Sequence, residues 1–239
     1  MNSKCKKLVL TALVLLVTVA QAQAADFTLG GYGWNRNYGG WQYNRSQMNN
    51  TASGYSNGVL YVTHSNSGGV LRGAAFQTER AFGYGNYSAQ IKAPAAQGLD
   101  AGFFMYNNSR FYPCVKAGCN YWHELDFEFL GFRPNNVHTN IISGGASNAN
   151  SNVNAQDRAL GFNFSQGFHT YEIRYNRGGI TWVVDGRTHR SDGTKGVDTP
   201  MYIMANIWAP GIPGWNVGNQ GAVPGSAQMQ VKNVSIRPF

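Results

Sequence analysis

The 239-residue chain is poor in acids, with eleven Asp and Glu against nineteen Lys and Arg, and it holds three cysteines. So few thiols exclude a miniature fold built on disulfides, and without matching histidines they cannot close a zinc site. No run of Lys/Arg and no basic helix is present, which leaves nucleic-acid binding without support. The apolar run near the start is too short for an ordinary membrane span, and no second long one follows. No segment carries the period of an amphipathic helix over ten residues or more. Protease and esterase chemistry are disfavoured, since no Gly-x-Ser-x-Gly elbow is expected.

Where acids do occur, they concentrate. Glu124, Asp126 and Glu128 alternate with Leu125, Phe127 and Phe129 in the stretch Trp122–Gly131. Alternation of period two is a strand, so Trp122 and the three acids share one face and the apolar residues share the other. Like charges enclosed on one face raise at least one carboxyl pKa. Paired carboxylates of this kind suit glycoside hydrolysis, in which one attacks the anomeric carbon while a protonated partner serves the leaving oxygen. An acidic solvent face and an oxygen-ligand metal site are the competing readings. On a straight strand the Cα atoms of Glu124 and Glu128 would lie roughly 13 Å apart. A retaining pair needs carboxyls about 5 to 5.5 Å apart, so the glutamates must lean inward, or an inverting mechanism with room for water applies.

Residues 1–24 read as an export signal. Lys4, Lys6 and Lys7 precede the apolar run Leu8–Ala20, and Ala22-Gln23-Ala24 is a small-residue cleavage pattern. Residues 25–239 then form a single domain in the periplasm or medium, expected to be a monomer with no membrane span. Without the leader, sixteen bases face eleven acids, about +5 with His neutral. That mild excess fits solubility or an acidic polysaccharide. Cys114 and Cys119 would pair in an oxidising compartment, pinning the loop before the acidic strand.

Strands are expected at Val59–Thr63, Ala74–Glu79, Asn86–Ala93, Ala101–Tyr106, Trp122–Leu130, Asn136–Ile142, His169–Tyr175, Ile180–Val184, Met201–Trp208 and Gln228–Ile236. Asp185-Gly186 is a hairpin turn. Ser143–Gln156, rich in Asn, Ser and Gly, reads as a loop. The class is therefore all-β, two stacked antiparallel sheets in preference to a barrel. Aromatics beside Gly or Asn, namely Tyr32, Trp34, Tyr38, Trp41, Tyr43, Trp208 and Trp215, suit a carbohydrate groove, although core packing is the better account of any single one. Among the histidines only His138, on the strand after the acids, comes within reach of them, and a lone strand histidine is usually structural.

With these residues in view, the chain resembles the family-16 glycoside hydrolases, the bacterial β-1,3-1,4-glucanases (lichenases) and their relatives. Glu124-Leu125-Asp126-Phe127-Glu128-Phe129-Leu130-Gly131 looks like the family's Glu-x-Asp-x-Glu signature. Gln77-Thr78-Glu79-Arg80, Gly102-Phe103-Phe104-Met105-Tyr106, Ile180–Gly186 and Met204-Ala205-Asn206-Ile207-Trp208 support it. The resemblance implies a concanavalin A-like β-jelly-roll with an open concave cleft and retention of configuration. It makes Glu124 the nucleophile, Glu128 the general acid/base and Asp126 the residue that tunes them. It puts Glu79, Arg80, Asn140, Asn206 and Trp208 on the sugar, with Trp122 packed beside the centre.

Many relatives bind a structural calcium through an Asp near the C-terminal strand, but Met229–Asn233 holds no acid. That departure argues against calcium, and no cofactor is expected. A secreted endo-β-glucanase is the leading expectation. A xyloglucan-type transglycosylase, an acidic exopolysaccharide glycanase and a non-catalytic lectin remain alternatives.

Overall fold

The computed structural model describes residues 24–36, 42–43, 46–108, 122–144, 152–193, 199–211 and 223–239. Most of the expected leader, the Cys114/Cys119 pair, and Tyr38, Trp41 and Trp215 lie outside them. Seventeen strands occur among the described residues: β1 Phe27–Leu29, β2 Tyr32–Arg36, β3 Gln42–Tyr43, β4 Ser46–Met48, β5 Gly54–Ser56, β6 Val59–Ser67, β7 Val70–Thr78, β8 Gly85–Lys92, β9 Asp100–Asn108, β10 Trp122–Leu130, β11 Asn136–Ser143, β12 Asn152–Ala159, β13 His169–Asn176, β14 Gly179–Val184, β15 Arg187–Asp192, β16 Tyr202–Trp208 and β17 Ser226–Pro238.

They form two layers. The first, in spatial order β1-β2-β7-β16-β9-β10-β11-β12, carries the acidic strand near its middle. The second runs β5-β6-β17-β8-β13-β14-β15 and backs it. The pairings named here are antiparallel; the short β4 lies parallel to the start of β7. Strand β7 belongs to both layers, pairing with β6 through Val70–Arg72 and with β16 and β2 from Ala74 onward. The change falls at Gly73, where a Cβ would meet the Ile207 carbonyl oxygen at 2.6 Å. The all-β, jelly-roll expectation therefore stands.

The core lies between the layers and is built by alternation. Leu125, Phe127 and Phe129 of β10 are buried with Tyr171 and Ile173 of β13, and Phe129 meets Tyr171 edge-on at 4.8 Å between centroids. Trp182 of β14 is buried, and its Nε1 donates to the Asp126 carbonyl oxygen at 2.8 Å. Arg190 of β15 stacks over Trp182 at 4.6 Å. Its guanidinium donates to the Thr139 and Asn154 carbonyls and to Asp192, which ties β15 to β11 and β12.

A buried cation with all these acceptors satisfied is costly to remove, because the acceptors are stranded with it. Arg190→Met should therefore destabilise the fold by about 3 kcal/mol or more, read as a lowered denaturation midpoint. An unchanged midpoint would show that the inter-layer tie carries no weight.

Three sequence expectations need revision. Asn152–Ala159, placed largely within a loop, is an edge strand in unbroken register with β11. Its described side chains are mostly exposed, so no buried face writes alternation into them, and backbone pairing makes the strand. Five short strands also precede residue 58, where none was expected. Finally, Gly54-Tyr55-Ser56-Asn57-Gly58 has the spelling of an esterase elbow, a match the sequence reading passed over. Here it is β5 and the turn into β6, with Asn57 and Gly58 at positive φ, so no strand-to-helix elbow exists at these residues. Asp185 and Gly186, at φ 47° and 78°, make the expected two-residue hairpin turn between β14 and β15.

Candidate active site

Cross-strand register assembles the site. On β10, Glu124 lies opposite Tyr106 of β9 and Ile142 of β11, Asp126 opposite Phe104 and Asn140, and Glu128 opposite Gly102 and His138. Strand β16 extends the rows, with Tyr202 beside Tyr106, Met204 beside Phe104, and Asn206 beside Gly102. Directly paired residues share a face, so these side chains form one surface with the acids at its centre.

Each acid has its own surroundings. Glu124 accepts a hydrogen bond from Trp122 Nε1 at 2.7 Å, and Trp122 itself packs edge-on against Tyr106. Burial pushes Glu124 up to about 7, against the pull of hydrogen bonds from Trp122 and Asp126. Asp126 is 3% exposed. Burial, then the charges of Glu124 and Glu128, hold it well above the ordinary carboxylate range. In the bond between these two, Asp126 holds the proton and Glu124 accepts it.

Glu128 is also raised well above its usual value, by burial first, then by the charges of Asp100 and Glu124. His138 Nε2 stands 3.6 Å from Glu128 Oε2, and burial lowers the histidine's pKa, so it faces the acid as neutral imidazole.

Of the residues expected on the sugar, Asn140 and Asn206 lie in the acidic rows. Asn140 Oδ1 and Asn206 Oδ1 are buried acceptors that no donor among the described residues reaches. Trp122 sits beside Glu124 as described. Trp208 is 4% exposed, and its Nε1 is donated to Asp100 Oδ2 at 3.2 Å. Glu79 and Arg80 follow β7 at the exposed end of the sheet. The Glu79 carboxyl covers Gly33, and the Arg80 guanidinium lies over Tyr32 at 4.8 Å and Phe82 at 5.1 Å. Trp34 is fully buried in the core, with Nε1 bonded to Leu29 O.

The acid that sequence reading missed is Asp100, at the start of β9 and 1% exposed. Its signal was the alternation Asp100-x-Gly102-x-Phe104-x-Tyr106, whose polar end lies outside the strand expected at Ala101–Tyr106. Among the described residues no three His, Cys, Asp or Glu side chains gather as a metal site. The surface can hold one carboxyl ionised and another protonated across a narrow strip, with neutral amides ready for hydroxyl groups.

Comparison with known proteins bears on this surface. The model of glycosyl hydrolases family 16 matches residues 38–230. A β-glucanase of Paenibacillus macerans is 30% identical over 202 residues, covering 76% of this chain and 80% of that protein. A β-glucanase of Bacillus licheniformis is 28% identical over 240 residues, covering 91% of this chain and 90% of its own. The solved structure of a Bacillus licheniformis β-glucanase superposes with a TM-score of 0.70 at 23% identity, covering 86% of this chain and 92% of the other. A prokaryotic β-1,3-1,4-glucanase from a mouse hindgut metagenome gives 0.72 at 24%, covering 91% and 98%. Both structures share the fold described above.

Proposed function

The chain belongs to glycosyl hydrolases family 16, and from that footing we propose that it is an exported endo-β-glucanase. It cuts β-1,3-1,4-glucan or a closely related β-linked polysaccharide with retention of configuration. Glu124 is the nucleophile, Glu128 the general acid/base, and Asp126 the partner that keeps Glu124 anionic. Supporting the substrate class are the relatives named as β-glucanases.

The observation that carries the mechanism is the unequal treatment of two glutamates on one face. Two donors stabilise the anion of Glu124. Burial and nearby negative charge favour the neutral form of Glu128. One carboxylate is thus fitted to attack C1 and the other to protonate the departing oxygen, after which water, deprotonated by Glu128, releases the sugar from Glu124. Trp122 holds the nucleophile in place, and Asn140 and Asn206 accept from sugar hydroxyls. The enzyme acts as a monomer outside the cytoplasm, in keeping with its leader-like first residues.

The experiment is product analysis by mass spectrometry and anomeric NMR on barley β-glucan, lichenan, laminarin, xyloglucan and a succinoglycan-type polymer. Oligosaccharides from β-1,3-1,4-glucan appearing first as the β-anomer are expected. Initial α-anomer would overturn the double displacement, and absence of cleavage would return the protein to a binding role.

A further inference from the structure

Asp100 is outside the signature strand, yet it is built into its chemistry. It pairs with Leu130 of β10 and Trp208 of β16, while the next residue on its face, Gly102, pairs with Glu128 and Asn206. Asp100 is therefore the diagonal neighbour of Glu128, within side-chain reach across the sheet. Among the described residues Asp100 Oδ1 and Glu128 Oε2 are buried with no hydrogen-bond partner, and each carboxyl bears on the other's proton affinity, so one proton shared between them would satisfy both. Trp208 Nε1 fixes the far side of Asp100. Gly102 keeps the lane open, since a Cβ there would meet Asn206 Oδ1 at 2.7 Å and the Phe104 ring at 3.2 Å.

Resting on the assignment of Glu128 as the acid, we propose that Asp100 is the positioning residue for that acid, its carboxylate accepting a hydrogen bond from protonated Glu128 and holding the proton there until the glycosidic oxygen takes it. During glycosylation the Glu128 proton moves to the leaving oxygen as the C1–O bond breaks and Glu124 bonds to C1. Asp100 loses its hydrogen bond and keeps its charge. Two carboxylates then face each other in a buried site, and their repulsion makes Glu128 a stronger base. In the second half water attacks C1, the bond to Glu124 breaks, and the water's proton returns to Glu128, which restores the pair.

The groups facing Glu128 among the described residues are consistent with that part. Glu124 and Asp126 precede it on the same face of β10, His138 approaches from β11 as a neutral ring, and Asn206 and Trp208 of β16 carry no charge. Asp157 of β12 and Arg133 pair with each other and bear on His138. Of the charges acting on Glu128, that of Asp100 has the largest effect. Burial pushes Asp100 up to about 7, and Trp208 and Glu128 hold it from rising further.

The test is Asp100→Asn, which keeps an acceptor for Trp208 and removes the charge. The alkaline limb of kcat/KM on barley β-glucan should move down by about one pH unit or more. Glycosylation by a 2,4-dinitrophenyl β-glycoside, which needs no acid, should stay within about twofold of the parent. A limb that superposes on the parent's, or equal losses on both substrates, would overturn the proposal. Should Asp100→Asn fail to fold, infrared difference spectra of the parent enzyme against Glu128→Gln at pH 8 decide. A protonated carboxyl band lost in the variant is expected, and its absence from the parent overturns the role. Glu128→Gln assayed alongside separates the two readings: turnover of β-glucan at the parent rate sinks the acid assignment itself. An inactive Glu128→Gln beside an unshifted Asp100→Asn sinks the Asp100 role alone.

Discussion

Glu124→Gln is expected to lower kcat on β-glucan by on the order of 10^4-fold, and to make the protein more stable at alkaline pH. The first effect follows from losing the atom that bonds to C1. The second follows from linkage. Glu124 has a folded-state pKa raised to about 7 from an ordinary 4.5. A raised value means that the native state binds the proton more tightly than the unfolded chain does. Its contribution to stability is therefore whole below about pH 4.5 and is lost as pH rises through about 7.

Gln cannot ionise, still accepts from Trp122, and escapes that loss. A gain on the order of 1 to 3 kcal/mol at pH 8, fading to nothing near pH 4, is expected. Denaturant midpoints of both proteins at the two pH values measure it. An inactive variant with no gain at pH 8 would refute the claim that burial strains the carboxylate; a fully active one would remove Glu124 from the mechanism.

Glu128→Gln is the second large effect, and it is selective. On β-glucan, whose leaving group is a sugar alkoxide, kcat/KM should fall by about 10^2- to 10^4-fold. With the dinitrophenyl glycoside, glycosylation should survive nearly intact while deglycosylation slows, because the base that activates water is gone. The glycosyl-enzyme should then accumulate and be seen by intact-protein mass spectrometry as an adduct. Small anions such as azide should restore turnover by attacking C1 in place of activated water. Equal losses on both substrates, without an adduct, would show that Glu128 acts through structure.

Much of this site was legible because acids are scarce here. Three carboxyls at alternate positions between Leu125, Phe127 and Phe129 announce a strand with a hydrophobic underside, and Asp185-Gly186 announces its turn from residue type alone. Harder to see was whatever depends on strands meeting across the sheet. Asp100 is 28 residues from Glu128 in sequence, and only the β9–β10 register makes them neighbours. Trp34 has the flanks of a sugar-binding aromatic, yet its face of β2 turns to the core. Strand β12 gave no signal because its side chains mostly meet solvent; an edge needs partners for its backbone and no hydrophobic stripe.

The joint at Gly73 bears on how a polymer can be held. A strand common to both layers stitches one border of the sandwich, and Arg190 with Asp192 and Asn154 buttons the other. The layers cannot part like the covers of a book, nor can one rock against the other to grip what lies on it. Recognition must then be paid in advance, by an acidic strip and amides already in position, and a glucan chain has to bend to the groove it meets.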